Sequence, residues 1–430
     1  MKKLPLLICL ALLLLVNGTL AFASGTPDAG KAAQPVQVSW LIDVSAASPR
    51  EYWDLAEETF EKEHPEIDLV LQEFAGPRIQ QHVLLLYQTG QLTDILSGAT
   101  ELRNIKGALL EIPKEVKALI RDDIVQVYSR EGDHMYELPL SSYMWCNVWY
   151  NKTMFDKYGL TVPTTWAQFE NICKVLKANG IPPLVTGGPT TQWVTGIVVT
   201  QPLLGGMLYN LKGDYSFATR MKSGELKWNG PEVSKVVNWW RSLIDAGYYH
   251  EGSYSFTIEQ MRDTYLEEKA VMMVDGSWAA KLIQDRAKFE VGWFAMPNEK
   301  TRNTTIMGAA AMAFNGATKH PKELTKYMKF MVSDNEIYRR QLLQRSAASV
   351  TKVPVIVDVG KIANLQYENS RKWGLVNLVS LEGLTGEKQM PAGFLTTIEK
   401  AMQNIVVGAS VASELDRVEK EFRELVAKQP

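Results

Sequence analysis

Two carboxylates and a tryptophan stand where the pattern of the chain turns corners. Asp43 ends the apolar run Val36–Ile42, which reads as a buried strand, and Glu101 follows shortly after a second short strand, Thr93–Ser97. Trp278 comes after the run Ala270–Val274 and the turn Asp275-Gly276-Ser277, where Ser277 is placed to cap a helix. A carboxylate offers several acceptor sites, and bonds to it are stronger than neutral ones. An aromatic face beside such acceptors suits a ring that has an apolar C–H patch and a rim of hydroxyls. The same pair could serve as the acid and base of glycoside hydrolysis, which needs two carboxylates about 5 to 10 Å apart. The plainer reading puts the carboxylates in water or on helix ends and Trp278 in a core.

Further aromatic and amide groups fall nearby in the pattern. Tyr143, Trp145 and Asn147 belong to the long aromatic run Tyr143–Tyr150, and strand alternation places all three on one face, which is a cleft or a core. Trp193 follows Gly187-Gly188. The chain has 12 tryptophans, so most of them must pack in cores. Arg345 could reach the same region from a connecting segment, although a surface position is the default for an arginine. Other chemistries lack their signatures. His64, His82, His134, His250 and His320 lie far apart without H-E-x-x-H spacing, and there is no G-x-S-x-G elbow or glycine-rich phosphate loop. No metal, cofactor or catalysis is expected.

The elements that must hold these groups read as α/β. Ser48-Pro49-Arg50-Glu51 combines an N-cap serine, a proline at the first helical position and the glutamate of a capping box. The helix it opens has Tyr52, Leu55, Ala56 and Phe60 on one face and ends before Pro65; Ile67–Leu71 then alternates as a strand. A helix over Ile79–Tyr87 continues the alternation, which predicts a mostly parallel sheet flanked by helices. Thr165 opens another capped helix, with Trp166, Phe169, Ile172, Cys173 and Leu176 inward and Gly180 at its end. At 430 residues the chain exceeds the size at which one core stops growing, about 250 to 300 residues, so two lobes are expected.

Lys2-Lys3, the apolar stretch Leu4–Val16 and Ala21-Phe22-Ala23 read as a secretory signal over residues 1–23, with a disordered leader over 24–35. The one early cysteine, Cys9, lies inside the apolar stretch, so no lipid anchor and a soluble periplasmic protein are expected. Loss of Lys2 and Lys3 takes the net charge from -2 to -4, and no basic run marks a nucleic-acid partner. Cys146 and Cys173 are too few for a disulfide framework; they are two buried thiols or one bridge.

Three blocks carry a resemblance. Tyr150-Asn151-Lys152, Phe155, Gly159-Leu160, Pro163, Thr165-Trp166 and Phe169 follow one another in a fixed order after Glu137-Leu138-Pro139-Leu140. Lys269-Ala270-Val271-Met272-Met273 leads to Gly276-Ser277-Trp278, with Glu268 where glycine is usual, and Gly308-Ala309 leads through Phe314 and Lys319-His320-Pro321 to Phe330-Met331. This resembles the extracellular solute-binding proteins of carbohydrate ABC importers, the maltose-binding-protein-like family 1. The resemblance implies a two-lobed periplasmic-binding-protein fold of class II type. Each lobe would be a mostly parallel sheet, and three crossings near Leu140–Asn147, Glu290–Pro297 and Phe314–His320 would join them. The lobes would be 36–141 plus 297–316 and 142–296 plus 317–430.

By the same resemblance a sugar or oligosaccharide lies in the cleft between the lobes, and the closed form meets membrane permease subunits. It implies that Trp278 stacks on the sugar and that Asp43 and Glu101 accept bonds from its hydroxyls. It further implies that Phe394 falls near a late aromatic contact and that the protein works as a monomer. The alternatives are a binder of a non-sugar solute such as a polyamine and a secreted glycoside hydrolase.

Overall fold

The structure is a computed structural model that describes residues 34–44, 48–74, 79–103, 105–129, 133–145, 147–188, 217–297, 299, 306–372 and 389–428. The signal, the leader as far as residue 33, Cys146 and Trp193 lie outside the described residues. The strand β1 (Val36–Asp43) buries Val38, Trp40, Leu41 and Ile42, so both of its faces are apolar and both must be covered. It lies between β2 (Ile67–Phe74) and β3 (Ile95–Leu96) and runs parallel to both. The helix Arg50–Glu63 connects β1 to β2 and buries Tyr52, Ala56 and Phe60, four residues apart as one helical face requires, with Trp53 beside them.

The expected start of that helix is corrected. Pro49, not Ser48, is the N-cap residue, and no side chain caps the helix. Ser48 is occupied elsewhere: its hydroxyl accepts from Arg345 Nη2 at 2.7 Å and its carbonyl from Trp53 Nε1 at 3.1 Å. At Thr165 the expectation holds, since its hydroxyl accepts from the Gln168 N–H at 3.3 Å and the five expected side chains of Trp166–Ala178 are buried.

The long aromatic run divides at residue 146 into β4 (Glu137–Trp145) and β5 (Asn147–Asn151). The remaining strands are β6 (Leu184–Val185), β7 (Met272–Asp275), β8 (Val291–Ala295) and β9 (Ile306–Phe314). One sheet has the order β2-β1-β3-β9-β4, with β9 alone running against the other four. The other has the order β6-β7-β5-β8, with β5 alone reversed. Each lobe is therefore a mostly parallel sheet, as expected. The chain passes from the first sheet to the second between β4 and β5, and back between β8 and β9.

The third crossing is not where the resemblance placed it. Phe314 is buried in the first core, Thr318 donates to Asp94 at 2.6 Å, and the helix Pro321–Met331 sets Leu324, Tyr327, Met328 and Phe330 into the same core. Tyr327 meets Trp40 edge-on at 5.1 Å and Phe60 at 5.2 Å. Ile337 and Val350 belong to this core as well, whereas Val359 and Ile362 belong to the second lobe. The crossing thus falls between Val350 and Val359, and residues 317–350, expected in the second lobe, belong to the first.

Candidate functional site

Sheet register fixes which groups share an edge. Leu41 lies opposite Leu96, Leu96 opposite Ala313, and Ala313 opposite Glu137, so these four form one row across the first sheet. Just beyond the row β1 ends at Asp43, and β3 leads into the 3-10 turn Ala99–Leu102 that carries Glu101. β4 and β9 continue past the row as a two-stranded ribbon, with Tyr143 opposite Gly308 and Trp145 opposite Ile306. Asp43, Glu101, Tyr143 and Trp145 therefore all leave the first sheet at its carboxyl edge, where open α/β sheets bind ligands.

The second sheet presents the matching edge. Asn147 opens β5 between Asp275 at the end of β7 and Ala295 at the end of β8. Past Asp275 the chain turns into the 3-10 helix Ser277–Ala279, which lies against β4 of the first lobe. The turn is tightly held. Asp275 is 1% exposed, accepts from Arg262 Nε at 2.8 Å and takes the Gly276 N–H at 2.7 Å; the Gly276 carbonyl accepts from Trp149 Nε1 at 3.3 Å. Trp278 is half-buried, packs against both cores of the second lobe, and lays its six-membered ring over Gly276, where a Cβ would collide with it. Ser277 is not the expected helix cap, because Gly276 holds the N-cap position with no side-chain bond. β6 also ends at this edge and leads to Gly188, which approaches the Tyr254 carbonyl too closely for any side chain.

Phe394 does not join this group. It is 0% exposed, with its ring centroid 4.7 Å from Trp228 and 4.8 Å from Phe422, and so is a core residue without a face left for a solute. Cys173 is a free thiol in the same core, its pKa pushed up by burial.

Electrostatics at the first edge involve Arg345, for which the sequence makes a surface position the default and this region the alternative. Asp43 is exposed at the end of β1, yet the protein around it raises its carboxyl above the ordinary range by partial desolvation, which Arg345 offsets only in part. Arg345 closes the helix Glu336–Gln344, and its bond to Ser48 ties that helix to the loop after β1. No local signal announces this contact, because 297 residues separate the partners. Behind Glu101, Arg103 and Glu137 form a buried two-point ion pair, with Nε–Oε2 2.6 Å and Nη2–Oε1 2.9 Å. It fixes the turn that carries Glu101 to the first residue of β4. A separate cavity of about 480 Å³, lined by Tyr150, Gln284, Phe289, Trp293 and Ile362, lies toward the far end of β5 and β8, away from the facing edges.

Residues 45–336 match the family of bacterial extracellular solute-binding proteins. The chain belongs to that family. Among curated relatives of this solute-binding protein, a multiple sugar-binding protein of Streptococcus mutans is 28% identical over 202 residues, 46% of this chain and 47% of that protein. An ABC transporter extracellular-binding protein of Pyrococcus horikoshii is 21% identical over 78% of this chain and 80% of its own length. Among solved structures, a chitin oligosaccharide binding protein aligns with a TM-score of 0.76 at 19% identity, covering 91% of this solute-binding protein and 99% of the other chain. That likeness is one of fold: two lobes, each a sheet with helices on its faces.

Proposed function

We infer that this solute-binding protein captures a sugar or oligosaccharide between its lobes and delivers it to the membrane subunits of an ABC importer. The observation that carries the reading is the placement of Trp278 at the carboxyl edge of one sheet while Asp43 and Glu101 leave the carboxyl edge of the other. A sugar between the edges would rest its C–H face on the indole and donate hydroxyls to the two carboxylates. Tyr143, Trp145 and Asn147, on the crossing between the edges, complete the proposed site. The names of the relatives support a sugar ligand and an ABC transporter. Closure about the crossings would exclude water from the solute and create the surface that the permease reads. In this reading Asp43 and Glu101 accept hydrogen bonds and transfer no proton, so the solute leaves unchanged.

The test is a thermal-shift screen of the purified protein against N,N′-diacetylchitobiose, raffinose, maltotriose, D-galactose, spermidine and amino acids. A ligand at 100 times its Kd stabilises the fold by about 2.7 kcal/mol, a shift well above noise. Stabilisation by a sugar, with the sugar recovered intact, is expected. Shifts with spermidine alone would replace the sugar, and release of monosaccharide during the assay would make the protein a hydrolase.

A further inference from the structure

The first edge contains one cation whose arrangement the sugar reading does not by itself require. Arg345 is half-buried and donates through Nη2 to the Ser48 hydroxyl, and none of the ion pairs among the described residues includes it. Its position is fixed from several sides. The helix Glu336–Gln344 packs on Arg50–Glu63, where the Tyr52 hydroxyl donates to Gln341 Oε1 at 2.9 Å. Immediately after Arg345 the backbone reverses through Ser346, at a φ of 45°, and Ala348 exchanges two 2.8 Å bonds with Ser142 of β4. The guanidinium is thus tied to the loop that follows β1, near Asp43 and the Tyr52 hydroxyl, and the backbone just after it is pinned to β4. Among the described residues it is the charged side chain that acts on Asp43.

We propose that Arg345 is a specificity-determining residue of the sugar site. Ser48 takes one of its five N–H donors, and in this assignment others donate to a solute bound beside Asp43. The two groups have opposite hydrogen-bonding demands: Asp43 only accepts, and Arg345 only donates. A pair of neighbouring hydroxyls meets both, one donating to the carboxylate and the next accepting from the guanidinium. Solutes that lack adjacent hydroxyls leave one of the two groups without a partner. The inference rests on the sugar reading and adds to it the group that reads a vicinal diol.

The experiment compares wild type with Arg345→Gln, Arg345→Lys and Ser48→Ala by calorimetric titration with the sugars of the panel over a range of pH. Arg345→Gln is expected to weaken binding about 10- to 100-fold, the usual consequence of losing a charge-assisted bond. Arg345→Lys should restore part of the affinity, and Ser48→Ala should cost less than Arg345→Gln because the cation remains. Loss of the cation also raises the Asp43 pKa further, so the acid limb of the affinity profile should move to higher pH in Arg345→Gln. A purely structural arginine would lower stability and leave the affinity of the folded protein unchanged at a pH where Asp43 is ionised. Unchanged affinity for every sugar in a folded Arg345→Gln protein, at a pH where Asp43 is ionised, would overturn the proposal while leaving the sugar reading intact. Wild-type silence toward every sugar would overturn both. Should Arg345→Gln fail to fold, wild-type affinity in Ser48→Ala and Arg345→Lys alike would count against the assignment.

Discussion

Gly276 lies directly beneath the indole of Trp278, close enough that a Cβ at position 276 would strike the six-membered ring. The backbone at Gly276 has a φ of -86°, which any residue can adopt, so an alanine there would act on the ring and not on the main chain. Gly276→Ala is expected to swing Trp278 out of place and weaken solute binding about tenfold or more, with a stability cost of about 1–3 kcal/mol. Titration calorimetry alongside a urea melt separates the two. Full affinity in the variant would remove Trp278 from the site.

Asp43 should show a conflict between binding and stability. Its carboxyl is raised by partial desolvation, with Arg345 acting in the other direction. A raised folded-state pKa means that protonation favours the fold: the contribution is complete below the ordinary value of about 3.9 and is lost as pH rises through the raised value. Asp43→Asn removes that loss, so its melting temperature should exceed that of wild type at neutral pH and converge with it in acid. Its sugar affinity at neutral pH should fall. A variant that is less stable than wild type at pH 7 would contradict this account.

Asp94 should behave in the opposite way. Burial alone would raise it, but the 2.6 Å bond from Thr318 and the bonds from the Ser39 hydroxyl at 2.7 Å and N–H at 3.0 Å, with His320 nearby, hold it below its ordinary value. Stability from such a group is present above about pH 3.9 and is lost as pH falls through the lowered value. Asp94→Asn should cost about 1–3 kcal/mol at pH 7 and progressively less in acid. Urea midpoints across pH give both numbers, and a penalty independent of pH would rule out the charge as its source.

Glu268, which stands where the resemblance leads one to expect glycine, has a φ of 60°, a conformation that glycine adopts without strain. The exposed glutamate offsets part of the backbone cost by accepting from Asn151 Nδ2 at 3.1 Å. Glu268→Ala loses that bond and keeps the strain, whereas Glu268→Gly loses the bond and relieves it. The glycine variant should be the more stable of the two by about 1 kcal/mol. Equal denaturation midpoints would mean that the backbone has shifted.

The elements were legible because apolar periodicity is local. The spacing of Tyr52, Ala56 and Phe60, and of Trp166, Phe169 and Cys173, identifies helix faces without reference to a partner. It does not say which sheet a face will meet. Leu324, Tyr327 and Met328 mark an amphipathic helix equally well in either lobe, and only Trp40 and Phe60, more than 250 positions earlier, settle the choice. The site divided along the same line. Asp43, Glu101 and Trp278 stand at or just past strand ends, so their place at the sheet edges could be read from position. Phe394 was misplaced because an aromatic at a helix start looks alike in a cleft or between Trp228 and Phe422. Arg345 was undervalued because its partner Ser48 read as a helix cap.

The place of β9 has a consequence for how the chain comes together. β9 sits between β3 and β4, so the first sheet has no hydrogen-bonded link between those strands until Ile306–Phe314 exists, and its core still lacks Tyr327 and Phe330. A ribosome that has just passed Ala295 has therefore made every strand of the second sheet and still has an unclosed first one. Joining β3 to β9 also closes a loop of more than 200 residues, a slow step in any folding reaction. The lobe that begins the sequence thus closes its sheet only after the strands of the second sheet are made, and the second lobe in turn waits for Phe394 and Phe422 to fill its core.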